Sequence, residues 1–173
     1  MNENDTLPQS TESDVMDAHL IRHFKNEQNL PLAIGAGAAA AVVCALIWAV
    51  VTVATSYQIG WMAVGLGFVV SMAVRMGKGI DPVFRIAGAV LALAGCVLGN
   101  ALSLVGFIAH QEDLGYFEVL GLLDYAKFPS LMVETSSPMD LLFYGIAIYQ
   151  GYQFSMRTIT QEDLVTARQK GGF

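Results

Sequence analysis

Charge is what this sequence has least of. Only 14% of its 173 residues are Asp, Glu, Lys or Arg, and 54% are hydrophobic. Soluble domains carry about 25% charged residues. The shortage excludes a disordered polar chain, and nine Lys and Arg against fifteen Asp and Glu exclude a basic nucleic-acid binder. Cysteine is scarce too. Cys44 and Cys96 lie inside apolar runs and outside any CxxC pair, which excludes a disulfide-stapled secreted domain. Both read as small buried hydrophobes. Signatures of chemistry are missing as well. There is no GxSxG elbow and no HExxH pair, and Gly77-Lys78-Gly79 lacks the rest of a phosphate loop. His19, His23 and Glu27 share one face at fourfold spacing, but three ligands from one short helix do not complete a metal site. Neither an enzyme nor a bound cofactor is expected.

What is present is long apolar sequence. Leu32–Ser56 has 25 residues and no charge, where about 20 apolar residues suffice to cross a bilayer. Gly60–Val74 is shorter; Arg75 closes it and Trp61 stands at an interface position. Val83–Ala109 is interrupted only by Arg85, and Met139–Met156 has Asp140 near one end and Arg157 just past the other. These runs predict an all-α integral membrane bundle of four transmembrane helices, about 32–56, 58–76, 83–110 and 138–157. Residues 1–31 form a polar leader in which five of the first six charges are acidic, the reverse of a cleavable signal peptide. Thr11 and Asp14 have capping-box spacing, and Met16, Leu20, Ile21 and Phe24 form the apolar stripe of an amphipathic helix over about 13–28, ended by Pro31.

Orientation follows from Lys and Arg. Placing both termini inside puts eight basic residues on the inner side and only Lys127 outside. The connection 111–137 then faces outward with five acidic residues, and Leu114, Phe117, Val119, Leu120, Leu122 and Leu123 give it an apolar face. Helical turns around 115–125 and a segment begun by Pro129 are expected to form an extracytoplasmic helical cap. Residues 158–173 are a cytoplasmic tail.

Small residues mark the surfaces where helices meet. Gly88, Ala92, Gly95, Gly99 and Gly106 recur along the third helix, Gly35 and Ala39 (with Gly37 and Ala41) along the first, and Ala147, Gly151 and Ser155 along the fourth. Such residues let backbones approach closely, within the chain or between copies. Asn100 and Ser103, with Tyr149, Gln150 and Gln153, are polar groups inside apolar runs. They read as hydrogen-bonding glue or as the lining of a polar path between helices three and four. Arg75, Lys78 and Arg85 form a basic rim suited to anionic lipid headgroups.

The stretch Gln58-Ile59-Gly60-Trp61-Met62-Ala63 through Gly77-Lys78-Gly79-Ile80-Asp81 resembles a segment of uncharacterised multi-pass bacterial inner-membrane proteins. The resemblance covers roughly residues 33–100. It implies a bacterial cytoplasmic-membrane location and no activity. The sequence therefore leads to a non-enzymatic polytopic protein. Its partners would be membrane lipids and either further copies of itself, as a homo-oligomer, or a larger membrane complex. A small channel or transporter is the alternative.

Overall fold

The computed structural model describes residues 21–57, 59–122 and 138–160, together with positions 126, 127, 130, 134, 162, 163 and 165. The capping box, most of the amphipathic leader, the Pro129 segment, and Arg168 and Lys170 lie outside the described residues. Regular structure among the described residues is entirely helical. Residues 21–26 are helical and lead into α1 (Leu30–Thr55), followed by α2 (Trp61–Arg75), α3 (Pro82–Gln111), the short α4 (Tyr116–Leu122) and α5 (Pro138–Phe154).

The leader helix stops before Pro31, as its sequence position suggests, and Pro31 itself belongs to the start of the next helix. Asn29 caps α1, its Oδ1 accepting the Leu32 N–H at 2.9 Å, and Pro31 fits the first turn, where no backbone donor is lost. α3 also carries a proline in its first turn, Pro82, but the Asp81 side chain before it makes no cap hydrogen bond. The far end of α1 is closed by Ser56, in the left-handed region at φ 56°.

α1 and α3 are long and apolar enough to cross a membrane, with 26 and 30 residues. α2 has 15 residues and α5 has 17. At 1.5 Å per residue they run about 22 and about 25 Å, short of a hydrocarbon layer about 30 Å thick.

α2 and α3 form the short diagonal of the bundle. They touch each other, and each touches both α1 and α5; α1 and α5 do not meet. The first described residues, the turn after α2 and the segment after α5 gather at one end. There the Asn29 N–H donates to the Gly77 carbonyl and the Arg157 N–H to the Gly79 carbonyl, both at 2.9 Å. At the opposite end α4 lies back on α3 as a cap. Val119 is buried there with Val105 and Ala109, and the Tyr116 hydroxyl donates to the Leu102 carbonyl.

Candidate functional site

Size, more than polarity, separates inside from outside. The interior of α1 is Ala33, Gly37, Ala41, Ala45, Trp48, Ala49 and Thr52, whereas Leu32, Ile34, Val42, Val43, Leu46, Ile47 and Val50 face outward. α3 repeats this, burying Gly88, Ala92, Gly95 and Gly99 and exposing Val83, Ile86, Val90, Leu93 and Val97. A water-soluble bundle buries its large aliphatic residues. Between lipid-facing helices, small residues at the contacts bring backbones close.

The glycines of α3 serve two different contacts. A Cβ at Gly88 would lie 2.4 Å from the Gly151 carbonyl oxygen, and one at Gly151 would lie 2.6 Å from the Gly88 carbonyl oxygen, so α3 and α5 cross backbone to backbone. Ser155 closes this crossing, its hydroxyl donating to the Gly151 carbonyl. Gly95 and Gly99 face α1 instead, against Ala41 and the Trp48 ring, and Leu66 of α2 also reaches Gly95. Gly106 meets Val53, and Ala92 is fully buried. Gly35 joins none of these contacts. It is exposed with open space around it, because Gly37 and Ala41, one register over, are the residues turned inward. Gly77 and Gly79 are packing glycines too: a Cβ on Gly77 would strike Ala33, and one on Gly79 would strike the Phe84 ring.

The polar groups expected to line one path do not converge. Asn100 and Ser103 are buried, 7% and 2% exposed, but Tyr149 is 64% exposed and Gln153 also points outward. Only Gln150 turns inward, where its Oε1 has no hydrogen-bond partner. A step of 100° per residue puts positions 149 and 153 on the face of α5 opposite the bundle, and the inward stripe is Asp140, Tyr144, Ala147 and Gly151. Asn100 approaches the Tyr144 hydroxyl across the α3–α5 contact without completing a well-formed hydrogen bond to it. Trp48 and Thr52 of α1 are polar members of the interior that sequence reading missed. Trp48 is hidden in an Ala- and Val-rich run, and Thr52 is marked only by lying one turn further along the same face.

At the end where residues 21–29 meet the turn after α2 and the segment after α5, a clasp joins three segments. Gln28 is its centre. Its Oε1 accepts the Ile80 and Asp81 N–H groups at 3.2 Å, and its Nε2 donates to the Asp81 carboxylate at 3.0 Å. Lys25 Nζ lies 3.2 Å from the other Asp81 oxygen. Glu27 pairs with Lys78 at 3.7 Å and with Arg157 at 3.3 Å, and Arg157 also pairs with Asp163. The Arg157 guanidinium sits 5.7 Å over the ring of Phe24, which is buried. The hydrogen bond from Gln28, then that from Lys25, holds the Asp81 carboxyl below its ordinary range. The Thr160 N–H, then Arg157, does the same for Asp163.

Two of the three rim residues, Lys78 and Arg85, have protein partners. Lys78 faces Glu27, while Arg85 donates through Nε to the Met156 sulfur at 2.7 Å and lies 5.3 Å over the Tyr152 ring. Arg75 is half-buried at the end of α2. Both cysteines are free thiols, and no group of metal-ligating side chains occurs among the described residues. The chain matches no protein-family model, and no curated protein or solved structure is significantly similar to it.

Proposed function

We propose that this chain is a four-span protein of a bacterial inner membrane, with both termini cytoplasmic. It works without catalysis, by assembling with a second copy or with a larger membrane complex. Membrane residence rests on the large aliphatic side chains turned outward along α1 and α3. Orientation rests on the clasp end, where Arg22, Lys25, Arg75, Lys78, Arg85 and Arg157 gather, while Lys127 belongs to the connection at the other end. The short α2 and α5 cross by local thinning of the bilayer and by interfacial anchors such as Trp61 and Tyr152.

One observation carries the assembly reading. The outward face of α5 presents Gly145, Tyr149 and Gln153 at fourfold spacing, and none of the described residues fills the space beside Gly145. Glycine with hydrogen-bonding side chains is a poor surface for lipid and a good one for another helix. Gly145→Leu and Gln153→Leu should each reduce the mass of the detergent-solubilised assembly while leaving the monomer folded. An unchanged mass in both variants, or a wild-type protein that is monomeric in native-like lipid, would count against assembly through this face.

The buried polar residues of the outer half favour a second reading, a small channel or transporter. Against a continuous path stands the inner half, where the Gly88–Gly151 crossing brings α3 and α5 into backbone contact. Solute flux into liposomes containing the purified protein decides between the two.

A further inference from the structure

A groove of about 680 Å³ runs along the α4 end of the α1–α3 pair. Leu46, Val50 and Ala54 line it from α1, and Leu102, Gly106 and His110 line it from α3. Each trio falls at fourfold spacing and so forms one stripe of its helix. From 46 to 54, or from 102 to 110, the rise of 1.5 Å per residue gives a length of about 12 Å. That is close to the depth of one leaflet in a hydrocarbon layer about 30 Å thick. Gly106 keeps the floor low; a Cβ there would lie 2.4 Å from Val53 and 3.4 Å from the Tyr116 ring. Leu46 and Val50 are 52% and 67% exposed, so the groove opens sideways through the large aliphatic face of α1.

The polar mouth of the groove is built where α3 ends. The Leu114 N–H donates to the Ala109 carbonyl at 3.0 Å, and Asp113 before it sits in the left-handed region at φ 54°. Glycine is the usual residue at such a helix end. Here a carboxylate stands in its place and lines the groove. Asp113 is exposed and makes no side-chain hydrogen bond or ion pair with another described residue. Glu112 adds a second negative charge beside it, and no Lys or Arg lines the groove. Tyr116 forms part of the wall and is fixed there by its hydroxyl, which donates to the Leu102 carbonyl.

We propose that this groove holds one acyl chain of an outer-leaflet phospholipid whose headgroup carries an ammonium group. The proposal rests on the membrane reading above and adds a defined lipid site to it. The apolar walls take the chain, and their length matches one leaflet. At the mouth the ammonium group meets the Asp113 carboxylate, and the His110 imidazole offers a donor for the phosphate. An anionic headgroup finds no cation in the lining and two carboxylates beside the mouth, so charge selects against it.

The test uses the full-length protein in vesicles of phosphatidylethanolamine and phosphatidylglycerol in equal parts. A photoreactive acyl chain is carried by one lipid or the other, and the labelled peptides are mapped. The ethanolamine lipid should label residues 46–54 and 102–116 about two- to fivefold more than the glycerol lipid, the range an exposed ion pair supports. Residues 32–43, also on α1, should be labelled equally by both. Asp113→Asn and Asp113→Gly should each abolish the preference. Glycine suits the left-handed backbone, so Asp113→Gly should keep the thermal midpoint at or above that of wild type. Ala54→Trp should fill the groove and reduce its labelling by both lipids. Equal labelling of the groove by the two lipids in wild type, or a preference that survives Asp113→Asn, overturns the proposal. So does a groove left unlabelled while residues 32–43 are labelled, a result that leaves the membrane reading standing. Absence of labelling along the whole chain would overturn the membrane reading itself.

Discussion

At Gly88 and Gly151 two backbones meet with no side chain between them, so the smallest addition is felt by both helices. Gly88→Leu or Gly151→Leu should lower the thermal midpoint in detergent. Overpacking costs about 1–3 kcal/mol when the surroundings can yield, and here the obstacle is carbonyl backbone. Gly35→Leu serves as the control: with open space around it, the change should leave stability within about 0.5 kcal/mol of wild type, as for surface substitutions generally. Equal loss at positions 35 and 88 would mean that the assignment of inward and outward faces is wrong. Magnitudes also rank the residues of the clasp. Its Lys25–Asp81 and Lys78–Glu27 pairs are largely exposed, and such pairs contribute about 0–1 kcal/mol each. Burying a Phe side chain contributes about 1.5–3 kcal/mol. Phe24→Ala should therefore loosen the leader more than Lys25→Ala, measured as backbone amide exchange over residues 21–29.

Among the elements, the clasp is the one whose strength depends on pH. Asp81 and Asp163 both titrate below the ordinary carboxylate value in the folded chain. Their contribution is present above that ordinary value of 3.8 and is lost as pH falls through the lower, folded values. The groups facing them are Gln28, Lys25, Arg157 and the Thr160 N–H, with Glu27 and Lys78 alongside. Spin labels at positions 22 and 158 should keep a narrow distance distribution at neutral pH and broaden only as pH falls below 3.8 through the lowered folded values. Asp81→Asn should broaden it already at neutral pH. A distribution indifferent to both changes would remove the clasp from the account. Sequence alone could not place this element, because Gln28 and Asp81 are 53 residues apart in the chain. The helices themselves were legible, since long uncharged runs and small-residue spacing act locally. Their starts were less so: Pro31 reads as the end of the leader helix, and it also stands in the first turn of α1, with Asn29 as the cap. Asn29→Ala should cost about 0.5–2 kcal/mol, the usual worth of such a cap. The five candidate polar residues do not share one face, for a reason already in the sequence. Positions 149 and 153 fall on the side of α5 opposite Asp140, Tyr144 and Ala147, and polarity alone carries no helical angle.

For the whole molecule, the proposed orientation is open to direct labelling. With Cys44 and Cys96 replaced, a cysteine at Lys170 should react with an impermeant reagent only from the cytoplasmic side, and one at Ser136 only from the outside. Labelling of position 136 from the cytoplasm would overturn the four-span arrangement. The arrangement of contacts has a further consequence for how the protein is made. α1 packs more extensively on α3 than on its sequence neighbour α2, yet α1 ends at Thr55 and α3 is complete only at Gln111. At about 5–20 residues per second, the ribosome leaves several seconds between the two. Through that interval the Ala41 and Ala45 face of a newly made α1 has only α2 to cover it. A nascent chain stopped after Arg75 should then be held by the insertion machinery or degraded, while one stopped after Gln111 should survive a pulse-chase.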